Sequence, residues 1–91
     1  MFNAFTGIIQ GRVQGVGFRY FAKSNANELQ ITGWVRNLPD GTVEVLAIGT
    51  QLLLEQFMQC LEKGPIGSRV ERHEFHWFQE KRIFNDFEIK G

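Results

Sequence analysis

Cysteine is nearly missing from this chain: Cys60 stands alone among 91 residues, so no disulfide can form within the chain and no multi-thiolate metal site can be built from it. A chain without disulfide staples fits a reducing compartment, and a cytoplasmic location is the expectation. An excess of either charge is missing too. Ten Lys and Arg face ten Asp and Glu, which leaves no net field to draw the protein onto nucleic acid or an anionic membrane. Long hydrophobic runs are also absent. The opening stretch, MFNAFTGIIQGR, lacks the basic head and apolar core of a signal peptide, and no later segment is long enough to span a bilayer. With no partner class indicated by composition, a monomer is expected.

What is present is a dense aromatic supply, nine Phe and two Trp, in a length that suits one domain, residues 1–91. A fold of this size buries roughly 60 to 65% of the surface its unfolded chain exposes, enough to stand without staples when the apolar pattern is good. Phe5 to Gln10 reads as a short strand ended by Gly11. From Phe18 to Leu29, apolar Phe18, Phe21, Ala22, Ala26 and Leu29 recur at spacings of three and four, the stripe of an amphipathic helix. Ile31 to Leu38 is rich in strand formers, Pro39-Asp40-Gly41 is turn chemistry, and Thr42 to Ile48 alternates with Val43, Val45 and Ala47 on one face, predicting a hairpin. Thr50 is placed to cap a second helix, Gln51 to Lys63, whose stripe is Leu53, Leu54, Phe57, Cys60 and Leu61 and which Gly64-Pro65 stops. Arg69 to Phe78 reads as a strand with a parity fault that predicts a β-bulge between Glu71 and Glu74. Phe87 to Lys90 closes the chain as a short strand.

Strand, helix, strand, strand, helix, strand predicts an α+β fold: the ferredoxin-like βαββαβ sandwich, two helices on one face of an antiparallel sheet, plus a short C-terminal strand. In that topology the first two strands are parallel with the third between them, so their C-terminal ends share one edge. The glycine-rich connection GRVQGVG (Gly11 to Gly17) leaves one of those ends and Asn37 sits near the other. Both are therefore expected at one cleft.

Glycines at 11, 15 and 17 let successive backbone N–H groups turn inward, and the helix starting near Phe18 adds unpaired amides and the positive end of its dipole. Arg19 lies in the first helical turn, where a cation is normally unfavourable. A local rule broken beside a glycine loop indicates a site for an anion, the amides of Gln14, Gly15, Val16, Gly17, Phe18 and Arg19 cradling a phosphoryl group that the guanidinium grips in two-pronged fashion. The plainer alternative is a tight connection with a solvated arginine. It leaves unexplained three glycines, each costing roughly 0.5 to 1 kcal/mol relative to alanine.

The loop is not a nucleotide-binding P-loop, because no Gly-Lys-Ser/Thr follows. Its spacing resembles the cradle of protein tyrosine phosphatases, but the position six before Arg19, where those enzymes hold a nucleophilic cysteine, is Val13. Attack must then come from water. Asn37 has both donor and acceptor capacity to orient it. No carboxylate or histidine can be placed at that edge, which implies a weak base and a substrate with a good leaving group, such as a mixed anhydride.

GRVQGVGFR, followed by GWVRNLPDGTVEV, the GP after the second helix and DFEI near the end, together resemble the acylphosphatase family over essentially the whole chain, and resemble its free-standing members more than the related domain of hydrogenase maturation proteins. The resemblance implies hydrolysis of acyl phosphates to carboxylate and inorganic phosphate without metal or cofactor. Arg19 would bind the phosphate with the loop amides, Asn37 would position the water, and the substrate's own phosphate oxygens would take the proton. Inorganic phosphate or sulfate would compete for the cradle. The other class of function compatible with the residues is a non-catalytic ferredoxin-like module that holds a phosphorylated ligand.

Other features carry less. GVGFRYF superficially resembles the RNA-binding motif of another module with this fold, but there the aromatics stand exposed on a central strand, whereas here Phe18 and Phe21 fall on a helix's buried stripe. His73 and His76, three apart in a strand, point to opposite faces and read as surface histidines. Cys60 reads as a core filler, Trp34 and Trp77 as core residues, and Arg36 as a structural or solvated charge on the face opposite Asn37. Glu44 and Glu55 form no carboxylate pair.

Overall fold

The computed structural model describes all residues from Met1 to Gly91. Seven elements follow in order: β1 (Phe2–Arg12), α1 (Phe18–Glu28), β2 (Thr32–Asn37), β3 (Val43–Ile48), α2 (Gln51–Lys63), β4 (Arg69–Glu80) and β5 (Phe87–Lys90). They build a five-stranded sheet ordered β4-β1-β3-β2-β5, with both helices packed on one side, the ferredoxin-like arrangement expected from the element order. The sheet is mixed, not antiparallel throughout: β5 runs parallel to β2 at the edge opposite β4. The chain crosses from one edge to the other between Glu80 and Phe87, and this crossover delivers the last strand in the parallel sense.

The core lies between sheet and helices. Phe5, Ile9 and Val13 from β1 and its exit, Val43, Val45 and Ala47 from β3, Phe18, Ala22 and Ala26 from α1, and Leu54, Phe57 and Leu61 from α2 are all buried there. The ring of Phe57 meets Phe87 edge-on, centroids 5.6 Å apart at 84°, the geometry that brings a positive ring edge to a negative ring face. Burying such a side chain contributes about 1.5–3 kcal/mol. A second, smaller core that the alternating pattern did not disclose occupies the other face, where Ala4, Leu46 and Ile48 are buried beneath Trp34 and Phe84.

Several expectations shift. The bulge is present, at the start of the expected interval: Gln10 pairs with Arg72 and Gly11 with Val70, so Glu71 is the extra residue. Gly11 (φ 133) belongs to this irregularity, since a Cβ there would collide with the carbonyl of Arg69. It serves strand pairing and is not part of the loop cradle. β1 runs past both expected ends because Phe2 and Arg12 still pair with β4. Trp77 is 43% exposed, since it stands on an edge strand and only one side of its indole meets the core, at Phe5. Trp34 is half-buried on the helix-free face, with the cations of Arg36 and Lys90 5.0 and 4.9 Å from its ring. Phe21, Leu53 and Cys60, on the margins of their stripes, are half-buried, and the partial burial of Cys60 pushes its thiol above the ordinary pKa. Thr50 takes the N-cap position of α2 but caps through its backbone carbonyl, without a side-chain bond. No helix is long and apolar enough to cross a membrane.

Candidate active site

β1 and β2 both run antiparallel to β3, which separates them. They are therefore parallel to one another, and their C-terminal ends open on the same edge of the sheet. The chain leaves β1 at Arg12, drops Val13 into the core at 1% exposure, and turns through Gly15 and Gly17, whose φ angles of 75° and 76° lie in the left-handed region. These two positions require glycine for conformation. A Cβ at either would meet nothing within 4 Å, so the space in front of the loop is open.

Gly17 is also the N-cap of α1. It offers no side chain to cap the helix, and the first turn holds no acidic residue. The amides of Phe18, Arg19 and Tyr20 thus have no acceptor a turn earlier, and none of those from Gln14 to Gly17 donates to a backbone carbonyl. Unpaired N–H groups and the positive end of the helix dipole converge on one place. Arg19, a half-buried residue, adds a guanidinium that forms no ion pair.

Asn37 approaches from β2, where it closes the ladder opposite Val43. Its Oδ1 is the one buried side-chain oxygen or nitrogen without a hydrogen-bond partner. Such an atom costs about 1–3 kcal/mol when nothing satisfies it. The neighbouring Arg36 points to the other face, where its Nε donates to Glu44 at 2.6 Å. Asn37, Arg19, Gly15, Gly17, Phe18, Val13 and Tyr20 together line a cavity of about 100 Å3. That is well below the roughly 300–1,000 Å3 of sites for drug-sized ligands, and suits a small anion.

Of the residues singled out from the sequence, the structure brings Arg19, Asn37, Gly15, Gly17 and Phe18 to one cavity. Val16 packs instead against the core. Gln14 stays beside the loop but turns its side chain the other way, and Nε2 donates to the carbonyls of Leu38 and Thr42 at 2.8 and 2.9 Å. Tyr20, 72% exposed at the rim, was not anticipated; its place next to Arg19 in the first helical turn was the available signal. His73 stacks on Phe75, its Nε2 3.7 Å from the Glu62 carboxylate, and no cluster of three His, Cys, Asp or Glu side chains is arranged to hold a metal ion.

The profile of the acylphosphatase family matches residues 5–89. The chain belongs to that family. The acylphosphatase of Thermus thermophilus is 49% identical over 73 residues, 80% of this chain and 83% of that one. The acylphosphatase of Bacillus licheniformis is 45% identical over 82 residues, 90% and 91% of the two chains. The crystal structure of an acylphosphatase from Bacillus subtilis superposes with a TM-score of 0.95 at 35% identity, covering 98% of this chain and 99% of that one. The family reading drawn from GRVQGVGFR and GWVRNLPDGTVEV thus holds for fold and enzyme class: acylphosphatases are hydrolases acting on small molecules.

Proposed function

We propose that the cavity between the Val13–Gly17 loop and Asn37 is the acyl phosphate site. The observation that carries this reading is the meeting, on one small cavity, of a glycine loop and helix start with unpaired amides, of Arg19 without an ion pair, and of Asn37, whose buried Oδ1 has no partner. Amides of Gln14 to Arg19 and the Arg19 fork hold the phosphoryl oxygens, where they offset charge more effectively than water does. A water held by a hydrogen bond with the side-chain amide of Asn37 turns a lone pair toward phosphorus. It attacks in line, the bond from phosphorus to the acyl oxygen breaks, and that oxygen leaves with the electron pair as a carboxylate. The water's proton passes to a phosphate oxygen. The products are carboxylate and inorganic phosphate.

No side-chain base enters these steps, consistent with a leaving group that is already a weak base. No cofactor or metal has a role in them. On the same reading the 91 residues work as one domain, a monomer in the cytoplasm, without nucleic acid or membrane, with phosphate and sulfate as competing anions. Balanced charge and the solitary Cys60 support that setting.

Release of phosphate from acetyl or benzoyl phosphate by micromolar protein tests the proposal, with inorganic phosphate expected to inhibit competitively and EDTA to have no effect. Phosphate binding without turnover would instead favour a non-catalytic module, and loss of activity in EDTA would overturn the metal-free steps.

A further inference from the structure

The geometry points to the side chain of Gln14 as a positioning residue that fixes the separation between the phosphate cradle and Asn37, an inference that rests on reading the cavity as the acyl phosphate site. Both hydrogens of Nε2 are spent on the turn that carries Asn37: one goes to the carbonyl of Leu38 at 2.8 Å and the other to that of Thr42 at 2.9 Å. Leu38 directly follows Asn37, and Thr42 directly precedes Val43, the residue paired with Asn37 across the ladder. Gln14 therefore grips both arms of the turn, just beyond the pair that ends the β2–β3 ladder.

These are the sole hydrogen bonds between the loop and the turn, spanning 24 and 28 residues of sequence. Each carbonyl already accepts one backbone bond, Leu38 O from Gly41 N–H and Thr42 O from Leu38 N–H. The turn is thus closed without Gln14. What Gln14 adds is a tie of fixed length between the loop and the turn.

The chemistry explains the residue type. Two carbonyl oxygens demand two donors on one short arm, which a primary amide supplies and a carboxylate or an apolar side chain does not. The reaction explains the need, because the anion is held by the loop while the water is oriented from β2. An error of about 1 Å between reacting groups is enough to cost on the order of 10²-fold in rate.

The test is a double-mutant cycle on phosphate release. Gln14→Met, similar in length and without donors, is expected to lower kcat about 10- to 100-fold, while the inhibition constant for inorganic phosphate stays within about twofold, because the loop amides and Arg19 remain. In an Asn37→Ala background the same change is expected to cost little further, since the group it positions is gone. A merely structural role would lower kcat by the same factor in both backgrounds, or weaken phosphate inhibition; either result overturns the inference, as does a Met variant with unaltered kcat. If the Met variant does not fold, Gln14→Asn, which keeps the amide but falls one methylene short, carries the same cycle with the same expectations. A wild-type protein that releases no phosphate would sink the functional reading instead, so the two failures are distinct.

Discussion

Gly64 packs its bare Cα against the ring of Phe18: a Cβ at Gly64 would stand 3.1 Å from Phe18 Cε2 and would also collide with Ser68 Oγ. Gly64 ends α2 at φ 71° and ψ 173°, a region that side chains essentially do not occupy. The glycine that stops the second helix thus also seats the first residue of α1, directly before Arg19. Gly64→Ala is expected to lower stability by about 2–4 kcal/mol from strain and overlap together, read as a lower urea midpoint. It should also reduce kcat in the folded fraction, because a displaced Phe18 moves the start of the helix. A variant with wild-type stability and turnover would show that the contact yields freely.

On the proposed mechanism, Asn37→Ala removes the amide that orients the water and leaves the cradle intact. The expected result is a fall in kcat on the order of 10² or more, with competitive inhibition by phosphate nearly unchanged. The variant should be no less stable than wild type, since the Oδ1 it deletes is buried without a partner and relieving that deficit offsets the lost packing. Normal turnover in this variant would remove Asn37 from the mechanism.

Arg19→Ala is expected to raise KM and lower kcat together, because on the proposed reading the guanidinium touches the phosphoryl group in both ground and transition states. Arg19→Lys should recover only part of the loss, an ammonium being a point charge without the planar fork that matches two phosphate oxygens. Arg19 has no protein partner, so thermal unfolding of both variants should stay close to wild type. If Lys served as well as Arg, the two-pronged grip would be wrong.

How much of this could be read from the sequence differs from residue to residue, for physical reasons. The periodicities of α1 and α2 and the Pro39-Asp40-Gly41 turn are local signals, and they placed the elements to within a few residues. The meeting of the loop, Arg19 and Asn37 at one cavity was legible because a glycine-rich helix start is conspicuous and because right-handed crossovers bring two strand ends to one edge. Gly11 was assigned to the wrong task, since whether a glycine serves a loop or a bulge depends on which strand pairs beside it, and β4 lies far along the chain. Trp77 was expected in the core, because β4 offers no sequence sign that it is an edge strand. The Gln14 side chain was missed for the same reason: its partners are main-chain carbonyls, which leave no mark in the sequence.

Glu80 supplies a pH-dependent contribution away from the site. Its Oε1 accepts from Arg82 Nη2 at 2.7 Å, and its Oε2 accepts from the amides of Lys81 and Arg82 at 3.0 and 3.3 Å. The arginine bond, followed by the two backbone amides, holds the carboxyl at a pKa of about 2, against an ordinary 4.5. A folded-state pKa below the unfolded value means that the folded chain binds fewer protons in this window, so stability falls as pH falls. The contribution is fully present above about 4.5 and disappears as the pH drops through about 2. Glu80→Gln cannot titrate, so between those limits its urea midpoint should decline less steeply than that of wild type, the difference closing at the acid end. The guanidinium is largely exposed, and added salt should shrink the difference. Parallel decline of the two proteins across the window would mean that the Glu80 cap on the β4 terminus holds nothing in place.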